Sequence, residues 1–175
     1  MLTACGSTDS NELLVVTSPD YGPYEFLNPN ASGQEAYLGA DMELARYIAK
    51  ELGKELSIKS MDFGDIPSAV SQGKFDLGIS GFTWEKDRAE VVAFSKGYDN
   101  SESTCQGFLV KKDKVDEYKT LEDFSKLRLA VQNGSVQQAY AEEHLENADL
   151  KLIAQLVDGA LQLSTDKVDA VVISC

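Results

Sequence analysis

The sequence predicts an α/β protein built as two units with mainly parallel sheets. Three observations carry this. Short apolar runs alternate with amphipathic stretches in the order strand, helix, strand, helix, strand over residues 13–94. The same alternation restarts near residue 105, with no tight sequence repeat. The 175 residues, 43% hydrophobic and 26% charged, are enough for one or two globular cores and too apolar for a disordered chain.

Each element has a local reason. Residues 1–11 are small and polar and read as a tether. Leu13-Leu14-Val15-Val16-Thr17 is a short apolar run stopped by Ser18-Pro19-Asp20, a buried strand entering a turn. Residues 21–39, rich in Gly, Asn and Pro, read as loop. Asp41 opens a helix whose Leu44, Ala45, Ile48, Ala49 and Leu52 share a face at helical period, and Gly53 ends it. Leu56–Ile58 is a second strand. Residues 65–72 form a short helix that tolerates Pro67 in its first turn, and Phe75–Ser80 alternates as a third strand. A helical turn at 85–90 leads to an expected strand at Val91–Phe94.

In the second unit Gly107–Val110, Leu127–Val131, Leu150–Ile153 and Val168–Ile173 read as strands. Thr120-Leu121-Glu122-Asp123 resembles a capping box. Asn133-Gly134-Ser135 is a turn onto a helix at 136–145, and 158–164 is another helix. The expected division is a tether at 1–11, lobe one at 12–104 and lobe two at 105–175, hinged near 95–106.

Charge narrows the partners. Sixteen basic and 29 acidic residues give a net charge of −13, which repels phosphate backbones, so nucleic acid is excluded as a partner. The single histidine, His144, sits in an acidic stretch and reads as a surface residue. Cys5, Cys105 and Cys175 have no metal-ligand spacing. Their number is odd, so at least one lacks an intramolecular partner. No metal and no cofactor is expected.

Four segments, in order, resemble the polar amino-acid branch of bacterial extracytoplasmic solute-binding proteins. They are Asp20–Phe26; Gly39–Leu44 with its helix; Gly73–Thr83 running on through Arg88 to Ser95; and Val131–Ser135 with Lys167–Val172 downstream. The resemblance spans residues 13–173. It implies a two-lobed, type II periplasmic-binding-protein-like fold, a Venus flytrap. Such a protein closes on a free amino acid in the interlobe cleft and presents it to an ABC-type membrane permease. It also implies that Leu2-Thr3-Ala4-Cys5 is the end of a lipoprotein signal, with Cys5 lipidated and the protein held on the outer face of a membrane or in the periplasm; a chance four-residue match is the alternative.

The chemistry of the residues agrees. An amino acid brings a carboxylate, an ammonium and a side chain. Arg88 can meet the carboxylate with a planar fork, or be a surface arginine paired with Glu85. Gly134 and Ser135 open a helix whose free N–H groups attract an anion, and Ser135 serves equally as an N-cap. By family position Ser80, Gly81 and Thr83 face the ammonium, and Tyr21 and Phe63 match aromatic walls, Phe63 being as readily a core residue. Asn133 precedes the anion-binding turn, and Gln137 can reach the cleft.

Two departures stand out. Where many relatives carry a carboxylate for the ligand ammonium, this chain has Ser174, and a second acidic position is Ser18. A carboxylate such as Glu25 is a candidate replacement. The family pattern also continues past residue 175, so lobe one is expected to be incomplete and the chain to self-associate, with Cys175 able to lock a pair. The alternatives to a transport protein are a dehydratase-like enzyme on the same scaffold and a fragment that no longer binds. The cleft positions hold no histidine and no paired carboxylates for acid–base work, so catalytic residues are not assigned.

Overall fold

The computed structural model describes residues 11–98 and 105–174. Nearly all of the tether, the middle of the expected hinge, Cys5 and Cys175 lie outside the described residues; Cys105 is disulfide-bonded. In chain order lobe one has β1 (Glu12–Thr17), β2 (Asp20–Tyr21), β3 (Glu25–Leu27), β4 (Tyr37–Leu38), α1 (Ala40–Glu51), β5 (Glu55–Ser60), α2 (Ile66–Ser71), β6 (Leu77–Gly78) and α3 (Lys86–Ala89). Lobe two has β7 (Gln106–Leu109), β8 (Arg128–Gln132), α4 (Val136–His144), β9 (Asp149–Ile153), α5 (Leu156–Ser164) and β10 (Ala170–Ser174).

The main sheet of lobe one is parallel, in the order β5-β1-β6. Central β1 is apolar in succession because both its faces are covered, and Leu13, Val15, Val16 and Thr17 are all buried. Helix α1 lays Met42, Ala45 and Ala49 on Leu13, Val15, Ile58 and Ile79. Its buried face is rotated from the expected one: Met42 is in the core, and Leu52 at the end is exposed. Gly53, at φ +65°, terminates it, with Lys54 N–H reaching back to the Ala49 carbonyl.

Lobe two carries a mixed sheet in the order β7-β10-β8-β9, with only β7 antiparallel. Alternation along the strands sorts its core into two faces. Leu129, Val131, Ala170 and Val172 meet Ala141 of α4 and Leu145 just after it. Ala130 and Val171, one residue out of phase, join Ile153, Val168 and Leu163 of α5.

Two local expectations are corrected. Residues 21–39 are not all loop: β2, β3 and β4 form a small antiparallel sheet. Strands of two or three residues are too short to show a period. Val91–Phe94 is not a strand. The N–H groups of Val91 and Val92 turn back onto the Arg88 carbonyl, which extends the helical turn and leaves no ladder partner. The capping box is present, with Asp123 accepting from the Thr120 N–H at 2.7 Å and from its hydroxyl at 3.1 Å. His144 is half-exposed beside Tyr140. No helix among the described residues is long and apolar enough to cross a membrane.

Candidate functional site

Both main sheets aim the C-terminal ends of their parallel strands at one cleft of about 460 Å³. The chain leaves β1 into Asp20 and Tyr21, leaves β6 into Ser80–Arg88, and leaves β8 into Gln132–Gln137. It leaves β9 into Leu156, and β10 ends there with Ile173 and Ser174. Of the residues expected at a site, Tyr21, Phe63, Ser80, Gly81, Thr83, Arg88, Ser135, Gln137 and Ser174 line this cleft. Asn133 and Gly134 do not. They lie against Gly64, where a Cβ on Gly64 would stand 3.0 Å from the Asn133 amide nitrogen.

Arg88 projects from the short helix α3 and is only 9% exposed. Its guanidinium lies 5.6 Å from the Phe63 ring centroid and 5.4 Å from that of Phe82, and the two rings stack on each other at 4.4 Å. Nη1 donates to the Thr83 carbonyl at 2.9 Å and Nη2 to the Gly134 carbonyl at 2.7 Å. Glu85 Oε2 lies 3.0 Å from Nη2. The pairing with Glu85 is therefore real, but the arginine is buried and joins the lobes. Burial lowers its pKa, opposed by Glu85.

The lobe-one rim is polar and acidic. The Ser80 hydroxyl donates to Glu25 Oε1 at 2.9 Å, and the Gly81 N–H donates to Asp41 Oδ2 at 2.9 Å. Tyr98 donates its hydroxyl to the same Asp41 oxygen at 3.0 Å. Burial, then the neighbouring Asp41 charge, pushes the Glu25 carboxyl up to about 9. Burial, then Asp41, raises Tyr98 too. Asp20 is raised by burial and held back by hydrogen bonds from the Leu156 N–H, Ser18, Gln132 and its own N–H. Its Oδ2 accepts from the Leu156 N–H at 2.6 Å and from Gln132 Nε2 at 3.3 Å, both in lobe two, and Oδ1 accepts from the Ser18 hydroxyl at 3.3 Å.

In lobe two Ser135 caps α4: its Oγ accepts from the Gln138 N–H at 3.1 Å while donating to the Gln132 carbonyl at 2.7 Å. Gln137 Nε2 donates to Ser174 Oγ at 2.8 Å and to Gln106 Oε1 at 2.7 Å. Neutral groups thus occupy the wall that ends at Ser174.

Sequence reasoning missed Asp20, Phe82, Trp84, Gln132 and Tyr98 among the lining residues. The signal for Asp20 and Phe82 was their place beside assigned residues at strand ends. Trp84, 61% exposed at the mouth, carried no periodic signal. The arrangement offers a cation and a helix N-terminus for an anion, hydroxyl and carbonyl acceptors for a donor, and stacked rings for an apolar or cationic group.

Comparison with known proteins gives this cleft its context. The profile of the bacterial extracellular solute-binding proteins, family 3, matches residues 13–171. The arginine-binding extracellular protein of Bacillus subtilis (strain 168) is 31% identical over 183 residues, covering 98% of this chain and 67% of that protein. The cyclohexadienyl dehydratase of Pseudomonas aeruginosa is 23% identical over 172 residues, covering 93% of this chain and 62% of the enzyme. An amino acid ABC transporter substrate-binding protein from Streptococcus pneumoniae, solved bound to L-arginine, superposes with a TM-score of 0.85 at 34% identity, over 94% of this chain and 67% of that one. The chain spans about two thirds of the length of such relatives.

Proposed function

The chain belongs to family 3 of the bacterial extracellular solute-binding proteins, and from that premise we propose that it captures a free amino acid with a cationic side chain, arginine first, and delivers it to an ABC-type permease. The fold is the mixed α/β type II binding-protein architecture. The observation that carries the proposal is Arg88 buried beside the stacked Phe63 and Phe82 rings in a cleft shared by both lobes. The ligand carboxylate meets the guanidinium and the N-terminus of α4, where Ser135 sits. A charge-assisted pair there is stronger than the neutral Gly134 carbonyl it replaces. The ammonium falls to the Ser80, Gly81 and Thr83 rim. Asn133 and Gly134 shape the turn, and Gln137 and Ser174 form a neutral wall. The cationic side chain lies against Tyr21, Phe63 and the Asp20 carboxylate. Support for arginine comes from relatives named as arginine-binding.

Titration calorimetry with L-arginine, L-histidine and a mixture of the other amino acids tests this. One-to-one heat without turnover is the expected result, and silence with every amino acid removes it. Product formation from a cyclohexadienyl substrate favours the dehydratase reading. We read the chain as a binding protein because relatives that it matches over nearly all of its length are named as arginine-binding or substrate-binding proteins. The carboxyls of Asp20 and Glu25 do line the cleft, contrary to the expectation that it holds no carboxylate pair. Extracytoplasmic placement and lipid attachment at Cys5 belong to the same proposal. Fatty-acid labelling lost in Cys5→Ala is the expected outcome. Self-association is proposed on the apolar groove lined by Leu44, Ile48, Pro67, Val70 and Leu77, and a stable 19.1 kDa monomer in light scattering rejects it.

A further inference from the structure

Two carboxyl groups lie side by side beneath the rim of the cleft. Glu25, on β3, is 1% exposed and Asp41, in the first turn of α1, is fully buried. Consecutive residues hold them: Ser80 donates to Glu25 Oε1, and the Gly81 N–H donates to Asp41 Oδ2, which also takes the Tyr98 hydroxyl. The other oxygen of each, Glu25 Oε2 and Asp41 Oδ1, is buried with no hydrogen-bond donor, although the two side chains are within hydrogen-bonding reach of each other. Two ionised carboxylates in this arrangement repel and leave two desolvated oxygens bare. A single proton between them satisfies both atoms.

The surroundings supply no other compensation. Asp20 and Tyr21 face the pair from β2, and Tyr98 from the segment after α3. Arg88 and Lys96 line the same cleft, but Arg88 pairs with Glu85, and among the described residues no salt bridge reaches Glu25 or Asp41.

We propose that Glu25 and Asp41 share one proton and that this carboxyl–carboxylate pair positions the Ser80–Gly81 rim, so that amino-acid affinity depends on the proton. Loss of the proton to solvent leaves two adjacent anions, which push apart and carry Ser80 and Gly81 with them. Burial keeps Glu25 protonated at neutral pH. The affinity half of the proposal rests on the amino-acid-binding reading above; the shared proton does not.

The experiment compares the wild-type chain with Glu25→Gln, whose amide donates without titrating. Glu25 has a folded pKa raised above its unfolded value of 4.5. The proton therefore contributes stability that is full below that value and is lost as pH rises through about 9. In urea unfolding without ligand, the wild-type unfolding constant should rise relative to that of Glu25→Gln by up to roughly tenfold per pH unit between about pH 6 and 9, then level off. Equal slopes overturn the shared proton. If Glu25→Gln does not fold, Asp41→Asn gives the same comparison, since its amide can donate to Glu25 Oε2. L-Arginine titrations followed by the single tryptophan, Trp84, test the rim. The ligand's own ammonium titrates in this range, so the ratio of the two affinities is read. Wild type should lose at least about threefold more affinity than Glu25→Gln between about pH 7 and 10. A constant ratio beside unequal unfolding slopes overturns the positioning role. Wild type that binds no arginine at any pH overturns the ligand assignment and with it the affinity half, and the unfolding slopes still decide the shared proton.

Discussion

Arg88 shows how one residue can satisfy both readings that its sequence position allows. It is paired with Glu85 at helical spacing, as a surface arginine would be, yet it is buried and reaches the Gly134 carbonyl in the other lobe. Arg88→Ala should cost about 2–5 kcal/mol of arginine affinity, because the ligand carboxylate is left in a desolvated cleft without its fork. Arg88→Lys should recover little of it, since a lysine offers no planar pair of donors. Calorimetric affinities within about twofold of wild type for both variants would make Arg88 a purely structural residue. The arginine itself was legible because Arg88 stands in a recognisable segment. The carboxylates were harder. Glu25 was named only as a stand-in for the acid missing at Ser174, and Asp20 only as part of a turn and a family-like segment, not as a site residue. Which acid in a Gly- and Pro-rich stretch faces inward is set by the pairing of β2 with β3, and pairs of such short strands leave no period in the sequence.

At the scale of elements, legibility follows length and phase. The strands β8 and β10 were found because each is an apolar run with room to alternate, and that alternation feeds two helices on opposite faces. Val91–Phe94 has the same apolar look, but it follows a helical turn whose carbonyl captures its N–H groups, so composition alone misleads there. Helix α5 carries a second lesson in Gly159. This glycine lies in mid-helix, where alanine is favoured by about 1 kcal/mol. A Cβ on it would sit 2.8 Å from Ile153 Cδ1 and 2.9 Å from Val171 Cγ1, both buried in the sheet beneath. The β-branched Val171 has little rotamer freedom to yield, and overpacking of this kind costs about 1–3 kcal/mol. Gly159→Ala should therefore lower the urea midpoint by a net destabilisation of roughly 1 kcal/mol. A midpoint at or above that of wild type would mean that the helix can lift off the sheet at no cost.

At the scale of the whole molecule, a few contacts join the two lobes across the cleft. Gly134, at φ +74°, lets the backbone of lobe two lie against Gly64: a Cβ there would be 2.7 Å from the Gly64 Cα, and backbone cannot step aside. Gly134→Ala should hold the lobes apart and weaken arginine binding by about tenfold or more, through closure rather than through any ligand contact. Asp20 is the other strap. Its Oδ2 receives the first N–H of α5 at 2.6 Å and the Gln132 amide at 3.3 Å, so one lobe-one carboxylate sits on the positive end of a lobe-two helix. Asp20→Ala removes both bonds and should shift the unliganded population toward open forms. A charged hydrogen bond of this kind is worth about 1.5–3 kcal/mol, enough to change the closed-to-open ratio by roughly ten- to a hundredfold. Small-angle scattering of the unliganded variant should give a larger radius of gyration than wild type, and saturating L-arginine should draw the two values together. If instead both proteins have the same radius without ligand, the Asp20 bonds do not govern closure, and contacts such as those of Arg88 and of Gly64 with Gly134 carry it.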